Sequence, residues 1–167
     1  LVSQEVDQCV AVTDRLLKLS IPPGSQAELV LVNDALRDTL SLVGWEAQQK
    51  NIELETEVGA APLRVLASDG ELRRVILNLA QNAFHAMPEG GRLSLTTSRH
   101  DGRIHIAISD TGAGVAADDL DQIFLPFFSR RADGKHGTGL GLSISRANVE
   151  RDGGTLSVDS ELGQGST

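Results

Sequence analysis

The sequence has few of the residues that form covalent cross-links or large aromatic surfaces. Its 167 residues include one cysteine (Cys9), one tryptophan, no tyrosine and four phenylalanines. A single cysteine excludes an intrachain disulfide and is typical of a reducing compartment. These residues contain no apolar run long enough to cross a membrane, and no stretch with the pattern of a signal or transit peptide. With 40% apolar and 23% charged residues, the composition is typical of one compact globular domain.

Positive charge is also scarce, since 15 Lys and Arg face 23 Asp and Glu, for a net charge of −8. This balance argues against nucleic acid as a partner and would repel ATP at long range. A phosphate site must therefore concentrate its own cations. One short stretch does so with Arg130, Arg131, Lys135 and His136, although such a run is also typical of a solvated loop.

Two glycine clusters flank this basic stretch. The first, DTGAG at 110–114, follows residues 103–109, whose apolar alternation predicts a strand. Asp110 would then end a strand, where its carboxylate can accept a hydrogen bond from the adenine amine. Gly112 and Gly114 permit positive φ and would let a flat ligand approach the backbone. The second cluster, GTGLG at 137–141, opens a helical pattern, so its free N–H groups predict a phosphate site with the basic loop as its lid.

Two other interpretations of the first cluster compete with this one. The stretch GAGVAA at 112–117 also fits a dinucleotide-binding fingerprint, with Asp133 at a suitable distance for a ribose contact. The helix after it can run only over about 117–123 before Pro126, which is too short for the crossover of a parallel βαβ unit. That fingerprint is therefore rejected, and the P-loop pattern is absent. Either cluster alone could also be a simple turn.

Periodicity divides the chain into a short N-terminal module and a larger domain. Residues 1–19 have apolar residues at three-to-four spacing and predict an amphipathic helix, which the IPPGS stretch at 21–25 ends. Asn33 or Asp34 can cap the first helix of the larger domain. The elements predicted there are strands at 28–31, 52–58, 63–66, 92–99 and 103–109, and helices at 32–50 and 68–87.

The helix at 68–87, capped by Ser68 or Asp69, is the second chemical element of the sequence. Asn78 and Asn82 are four residues apart and share one face, with His85 beside them. Buried carboxamides are costly unless they are hydrogen-bonded. Each can bond to nearby backbone, and as a set they could line a site for a hydrated metal and phosphate.

These motifs resemble the ATP-binding motifs of bacterial sensor histidine kinases of the GHKL superfamily, in the family's order and spacing. NLAQNA at 78–83 resembles the N box, and IFLPFF at 123–128 resembles the F box. The two glycine clusters resemble the first and second glycine boxes, and GQGST at 163–167 resembles part of a third. The resemblance covers roughly residues 28–167.

The resemblance implies an α/β fold of a defined kind, preceded by one amphipathic helix. It is a two-layer α/β sandwich, the Bergerat ATP-binding fold, with helices on one face of a mixed sheet. Residues 1–20 would be the remnant of the second helix of the dimerisation and phosphoacceptor hairpin, and 21–27 the linker. The domain at 28–167 would have a truncated last strand, since the chain stops at 163–167 without a closing strand. The chain is therefore expected to be a fragment of a longer protein.

The same resemblance implies ATP and Mg²⁺ as cofactors. Asp110 would bind the adenine amine and Asn82 the magnesium. Asn78 and His85 would lie near the phosphates and, with Asn82, form the catalytic set, although many relatives have Lys where this sequence has His85. The implied ATP-binding residues are Asn78, Asn82, His85, Asp110, Gly112, Gly114, Phe124, Arg130, Arg131, Lys135, Gly137, Thr138, Gly139, Leu140, Gly141, Ser166 and Thr167.

Three phenylalanines, Phe124, Phe127 and Phe128, would either clamp the lid or dock it on the phosphoacceptor helices. Some of them could also serve simple core packing.

Two rival functions are distinguished by single features. GHKL hydrolases of the gyrase, mismatch-repair or chaperone kind have a Glu four residues before the magnesium Asn, where this sequence has Asn78. An amide cannot accept a proton from attacking water, so the resemblance favours phosphotransfer over ATP hydrolysis. A binding module that has lost its chemistry is disfavoured by the intact boxes.

The expected partners follow from the same resemblance. No His-Glu or His-Asp pair precedes residue 85, and His100-Asp101 lies in a loop, so the phosphoacceptor hairpin must be supplied by the rest of the full-length kinase. A response regulator and a dimeric full-length protein are implied. The domain is expected in the cytoplasm, with a membrane anchor outside this sequence.

Overall fold

The structure, a computed structural model, describes residues 27–59, 61–130 and 137–167. The predicted N-terminal helix and the lid residues Arg131, Lys135 and His136 lie outside these ranges. The described elements are β1 (Glu28–Leu31), α1 (Val32–Gln49), β2 (Ile52–Val58), β3 (Arg64–Ala67), α2 (Asp69–Ala86), β4 (Gly91–His100), β5 (Arg103–Asp110), α3 (Ala117–Leu120), α4 (Gly141–Arg151), β6 (Ser160–Glu161) and β7 (Gly165–Ser166).

Five of these strands form a mixed sheet in the order β2, β4, β5, β7, β6. β2 and β4 are parallel, and the other neighbours are antiparallel. β1 and β3 form a separate antiparallel pair. The first glycine cluster follows β5, which is antiparallel to both its neighbours, so the rejection of a parallel dinucleotide-binding unit is confirmed.

The core lies between one face of the five-stranded sheet and the helices α1 and α2. Leu93 and Leu95 of β4 are fully buried there, because alternate residues of a strand point to the same face. Leu36, Ile76 and Phe84 of the helices pack in the same core cluster. The predicted α/β sandwich with helices on one face of a mixed sheet is therefore confirmed.

α1 begins without the side-chain cap predicted from Asn33 or Asp34, because β1 runs directly into the helix. The Asn33 side chain is buried instead. Its Nδ2 donates to the carbonyls of Gly59 at 2.9 Å and Ala61 at 3.3 Å, and its Oδ1 accepts from the Thr97 hydroxyl at 3.0 Å. This amide joins α1 to the β2–β3 connection and to β4, so its role is tertiary and not that of a cap.

α2 begins as predicted, with Ser68 at the N-cap. The Ser68 hydroxyl accepts from the N–H of Glu71 at 3.4 Å, which satisfies one of the free donors of the first turn. α3 is shorter than the predicted 117–123. After its four residues, the N–H groups of Gln122 and Ile123 both bond to the Asp119 carbonyl, at 2.8 and 3.0 Å, in successive turns.

The C-terminal residues reach the sheet. β7 pairs with β5 through Asp110 and Ser166, and with β6 through Gly165 and Glu161. A two-residue strand therefore stands where the sequence analysis predicted no closing strand, because its backbone meets that of β5.

Among the helices formed by the described residues, none is both long and apolar enough to cross a lipid bilayer.

Candidate nucleotide-binding site

One ridge of α2 joins the two glycine clusters. Asn78, Asn82 and Ala86 follow at intervals of four residues and so lie along one side of the helix. At one end of the ridge, the Asn78 Nδ2 donates to the Ser145 hydroxyl of α4 at 2.9 Å. At the other end, the Ala86 carbonyl accepts from the N–H of Ala113 at 2.9 Å. The fold thus assembles both clusters around the polar face that the sequence singled out, with Asn82 between them.

The first glycine cluster is held by hydrogen bonds on two sides. Besides its bond to α2, the Ala113 carbonyl accepts from the N–H of Gly163 at 2.7 Å. The N–H of Val115 donates to the Ser160 hydroxyl at 2.8 Å. The cluster is therefore fixed between the end of α2 and the β6–β7 hairpin.

Asp110 ends β5, as predicted, and its carboxyl group is half-buried. Burial raises the pKa of Asp110 above its ordinary value, and the N–H groups of Gly112 and Ser166 offset part of the rise by donating to the carboxylate. The bond from Gly112 is 2.8 Å long. The neighbouring Thr167 hydroxyl donates to the Ser109 hydroxyl at 2.9 Å. Ser166 and Thr167, both predicted site residues, therefore lie beside this partly desolvated hydrogen-bond acceptor.

The second glycine cluster is tied to the end of the IFLPFF stretch. The N–H of Phe127 donates to the Gly139 carbonyl at 2.9 Å, and the N–H of Gly137 donates to the Ser129 hydroxyl at 3.1 Å. These two bonds join residues 127 and 129 to residues 139 and 137, and we call them the neck. Phe127 has a φ of 67°, a region that a phenylalanine adopts only under strain.

α4 begins at Gly141, directly after the neck. The backbone N–H groups of its first turn have no helical partner, as at every helix N-terminus. They lie beside the Asn78 end of the α2 ridge, in the position that the sequence predicted for phosphate binding.

The glycines of the first cluster allow neighbouring protein backbone to approach closely, whereas the sequence analysis predicted that they allow a ligand to approach. A Cβ at Gly112 would meet the Ala86 carbonyl at 2.5 Å, and one at Gly114 would overlap the Glu161 carbonyl. Gly114 has the predicted positive φ, 65°, whereas Gly112 does not. Both glycines are therefore required by the packing of the cluster against its neighbours.

The same holds in the second cluster. A Cβ at Gly139 would overlap the backbone of Phe127 and Phe128, and one at Gly141 would overlap the Asn78 carboxamide. Gly139 also has a positive φ of 64°. The close approach of α4 to α2 therefore depends on glycine at 141.

Of the predicted lid cations, the structure describes Arg130. Its guanidinium is paired with a carboxylate of the same chain. Its Nη1 donates to both carboxylate oxygens of Asp119, at 2.8 and 2.7 Å. Its guanidinium also lies 5.8 Å from the centroid of the Phe128 ring. Asp119 is only 7% exposed, so this ion pair fixes Arg130 to α3.

The phenylalanines have different environments. Phe124 is half-buried, and the Arg146 guanidinium of α4 lies 4.7 Å from its ring centroid. Phe127 is 77% exposed. Phe124 therefore packs the IFLPFF stretch onto α4, whereas Phe127 presents its ring to solvent.

The remaining predicted residues of α2 are Asn82 and His85, and both are half-buried. None of the side-chain hydrogen bonds in the described part of the chain involves Asn82. Its carboxamide oxygen is therefore available to a ligand. His85 lies in the last turn of α2, next to the residue that holds the first cluster.

Sequence reasoning missed three residues that hold the site together. Ser145 binds Asn78, and Asp119 binds Arg130. The Ser160 hydroxyl donates to the Gly165 carbonyl at 2.8 Å and accepts from the N–H of Val115, directly after the first cluster. Only Ser145 had a sequence signal, since it lies one helical turn after Gly141. The other two act through contacts between distant segments.

A helix-covered mixed sheet with a polar helix ridge between two glycine clusters defines an ATP-binding domain of the GHKL class. The chain belongs to the family of histidine kinase-, DNA gyrase B- and HSP90-like ATPases, whose profile matches residues 68–167. It is 36% identical over 165 residues to the sensor histidine kinase ZraS of Escherichia coli (strain K12), covering 99% of this chain and 35% of ZraS. The chain thus spans about a third of the length of the curated relatives it matches.

Solved structures agree with this assignment. The catalytic domain of the histidine kinase ThkA matches with a TM-score of 0.75 at 27% identity, over 84% of this chain and 91% of that domain. Full-length ShkA in complex with AMPPNP matches with a TM-score of 0.75 at 37% identity, over 86% of this chain and 30% of ShkA. The predicted family, the ATP-binding catalytic domain of sensor histidine kinases, is therefore confirmed.

Proposed function

We propose that this chain binds ATP with Mg²⁺ and transfers the γ-phosphoryl group to a histidine on a helical hairpin outside these 167 residues. The observation that carries the proposal is the α2 ridge, which contacts the first glycine cluster through Ala86 and the second through Asn78 beside Gly141, and holds Asn82 between them. A nucleotide lying along this ridge would have its base at one cluster and its phosphates at the other. The similarity to ShkA, solved with AMPPNP, supports the same ligand class.

In this proposal the base binds at the first cluster. The Asp110 carboxylate accepts a hydrogen bond from the exocyclic amine of adenine, while two backbone N–H groups hold the carboxylate in place. A charged acceptor in a partly desolvated site gives a strong hydrogen bond.

The phosphates bind at the other end of the ridge. The backbone N–H groups of Gly139, Leu140 and Gly141 meet them at the start of α4, where the helix dipole also favours negative charge. Arg131 and Lys135 supply further positive charge from the loop. Arg130 would do so only by exchanging its bond to Asp119 for one to phosphate.

The residues on the α2 ridge fit a magnesium ion that reaches the site together with the phosphates. Mg²⁺ prefers oxygen ligands and keeps several waters, so one protein ligand beside the phosphate oxygens is sufficient. The Asn82 carboxamide offers that oxygen, since no other described side chain uses it. The ion would neutralise charge on the phosphates as the γ-phosphoryl group departs.

Phosphoryl transfer then requires positioning more than covalent chemistry by the protein. The bond between the γ-phosphorus and the β–γ bridging oxygen breaks, ADP leaves with that electron pair, and an imidazole nitrogen of the acceptor bonds to phosphorus and loses its proton. Asn78 supports transfer over hydrolysis, because an amide bound to Ser145 cannot act as the general base for water.

The wider assembly is proposed from the same relationship. The chain's partners are the phosphoacceptor hairpin of the full-length kinase and a response regulator, and the full-length protein is a dimer. This domain works in the cytoplasm, and the full-length kinase is anchored in the inner membrane. Nucleic acid is not a partner, in keeping with the net charge of −8.

Radiolabelled ATP tests the proposal. The chain is incubated with Mg²⁺ and γ-labelled ATP, alone and with the hairpin supplied as a separate polypeptide. We expect no label on the chain alone, and a weak label on the hairpin that is labile in acid and stable in base. The label is weak because docking without a tether loses effective concentration.

Two controls sharpen the result. A hairpin whose acceptor histidine is replaced by Gln should remain unlabelled, and Asp110→Asn should lower labelling of the intact hairpin. Acid-labile label on the chain alone would mean that one of its own histidines is an acceptor. Rapid release of inorganic phosphate without the hairpin would instead identify a GHKL hydrolase.

A further inference from the structure

β4 separates β2 from β5, the strand that ends at Asp110, so the outer edge of β2 lies on the side of the sheet away from the nucleotide site. β2 is at one end of the strand order, and among the described strands it pairs only with β4. Alternate N–H and C=O groups of Ile52–Val58 point away from β4 and have no strand partner in the described part of the chain. Such an edge can accept another strand.

A groove lies beside this edge. Its volume is about 350 Å³, and it is lined by Gly44, Trp45, Ala47, Gln48, Ile52 and Leu54 of α1 and β2. Trp45 is 72% exposed, and Leu42, nearly one helical turn earlier, is 76% exposed. An exposed tryptophan that lines a groove is typical of a binding surface.

The other face of the same strand is acidic. In β2 the sequence alternates, so that Ile52 and Leu54 point to the helix side and the glutamates at 53, 55 and 57 point to the opposite face. Arg92 lies near two of them, with its Nε 3.3 Å from Glu53 and 3.2 Å from Glu55. Glu53 and Glu57 are exposed and Glu55 is partly exposed, so the strand presents an acidic row that one arginine offsets only in part.

We propose that this edge binds an extended segment of a partner protein in which basic and apolar residues alternate. Added beside β2 as a strand, the segment would gain backbone hydrogen bonds along the edge. Its apolar side chains would point toward the Trp45 groove, and its Lys or Arg side chains would lie on the face of Glu53, Glu55 and Glu57. The negative charge of β2 therefore favours a basic partner. The alternation of apolar and acidic side chains along β2 favours a partner segment that is extended, with its own side chains alternating between the two faces.

A protective role of the glutamates is the competing explanation, since charges on an edge strand deter aggregation. That role accounts for the acidic face but not for the groove or the exposed Trp45 on the other side. A binding edge accounts for both faces at once.

Trp45 makes the proposal directly measurable, because it is the only tryptophan and the sequence has no tyrosine. The intact chain is titrated with a capped seven-residue peptide of alternating Lys and Val, and Trp45 fluorescence is followed. We expect a saturable blue shift. A peptide with Glu in place of Lys, and one with Lys and Val grouped in blocks, should each bind at least tenfold more weakly. Equal shifts with all three peptides, or none with the alternating one, would overturn the proposal.

Matched variants separate the two faces of the strand. Glu53→Gln, Glu55→Gln and Glu57→Gln combined should weaken the alternating Lys peptide roughly tenfold, since three exposed charge pairs are lost. Gly44→Met should also weaken it, because a side chain there enters open space beside the groove. Glu150→Gln on α4 removes one charge elsewhere and should bind like the parent. With circular dichroism showing that each variant is folded, unchanged binding in the first two would refute the docking geometry.

Discussion

Both glycine clusters are proposed to bind part of the nucleotide, but different contacts hold them in place. The first is fixed on two sides, by the Ala113 N–H to α2 and by the Ala113 carbonyl to Gly163. The second meets α2 where Gly141 packs against Asn78, whose side chain also donates to Ser145 of α4, and it is otherwise held by the neck at Phe127 and Gly139. The base end of the site is thus part of the sheet, whereas the phosphate end is held outside the sheet by α2 and the neck.

This difference suggests a division between recognition and chemistry. A rigid acceptor at Asp110 pays little ordering entropy when a base binds, which favours affinity. A phosphate end that can adjust its neck can admit nucleotide and release ADP. Glycine substitutions in the first cluster should therefore act mainly on folding, and those in the second mainly on nucleotide binding.

The largest expected effect is on the first cluster itself. Gly114→Ala places a Cβ against the Glu161 backbone at a positive φ, so the free energy of unfolding should fall by about 3 kcal/mol. Gly139→Ala has a similar φ and also meets backbone, but the neck can shift, so it should lose less stability and more ATP affinity. Urea unfolding and calorimetry measure both quantities.

Gly102→Ala is the matched control for these variants. It has a φ of 76°, yet nothing lies within 4 Å of the position of its Cβ. Strain alone should therefore cost about 1 kcal/mol. If Gly114→Ala is no less stable than Gly102→Ala, the first cluster is not the rigid region described above.

Asp110→Asn should produce the next largest effect, on binding. Loss of a charged hydrogen bond to the adenine amine is worth about 1.5 to 3 kcal/mol, which is a tenfold to hundredfold loss of ATP affinity. Calorimetric titration of the folded variant measures it. Unchanged affinity would remove Asp110 from the base site.

The same variant makes a prediction about pH. Because the pKa of Asp110 is raised in the folded state, the folded protein binds more protons than the unfolded chain between the two pKa values. The contribution of Asp110 to stability is thus present at low pH and is lost as the pH rises through its folded pKa. The stability of Asp110→Asn relative to the parent should therefore increase over that range, as measured by urea unfolding at several pH values.

Asn82→Ala should have a smaller effect, confined to the phosphate end. We expect about a tenfold loss of ATP affinity in the presence of Mg²⁺, because one ligand of the ion is removed. ADP binding without magnesium should be nearly unchanged, since the base end does not depend on Asn82. An equal loss under both conditions would point to a structural role of this residue in α2.

The smallest expected effect concerns the bond between α2 and α4. Asn78→Ala and Ser145→Ala each remove the 2.9 Å hydrogen bond, which should contribute about 1 kcal/mol to stability. A double-mutant cycle isolates this contribution. A coupling energy near zero would mean that Gly141 packing alone holds the second cluster against α2.

Much of this protein was predictable from local sequence. Alternation and 3.6-residue spacing identified the strands at 28–31 and 52–58 and the helix at 32–50, because both patterns directly reflect which side chains face the core. The motifs in their order identified the family. Asp110 at the end of β5 and the polar face of α2 followed from the same periodicities.

Tertiary structure alone decided how these parts serve one another. The sequence predicted Asn33 as a helix cap, but the fold buries its side chain against Gly59 and Thr97. It predicted Arg130 as a cation available to phosphate, but the fold pairs Arg130 with Asp119. The sequence predicted that the glycines allow a ligand to approach the backbone. In the fold, Ala86, Glu161 and other parts of the chain occupy the space that their side chains would fill. Local patterns determine which face of an element is buried, whereas these contacts join residues far apart in sequence, and only the folded backbone fixes such distances.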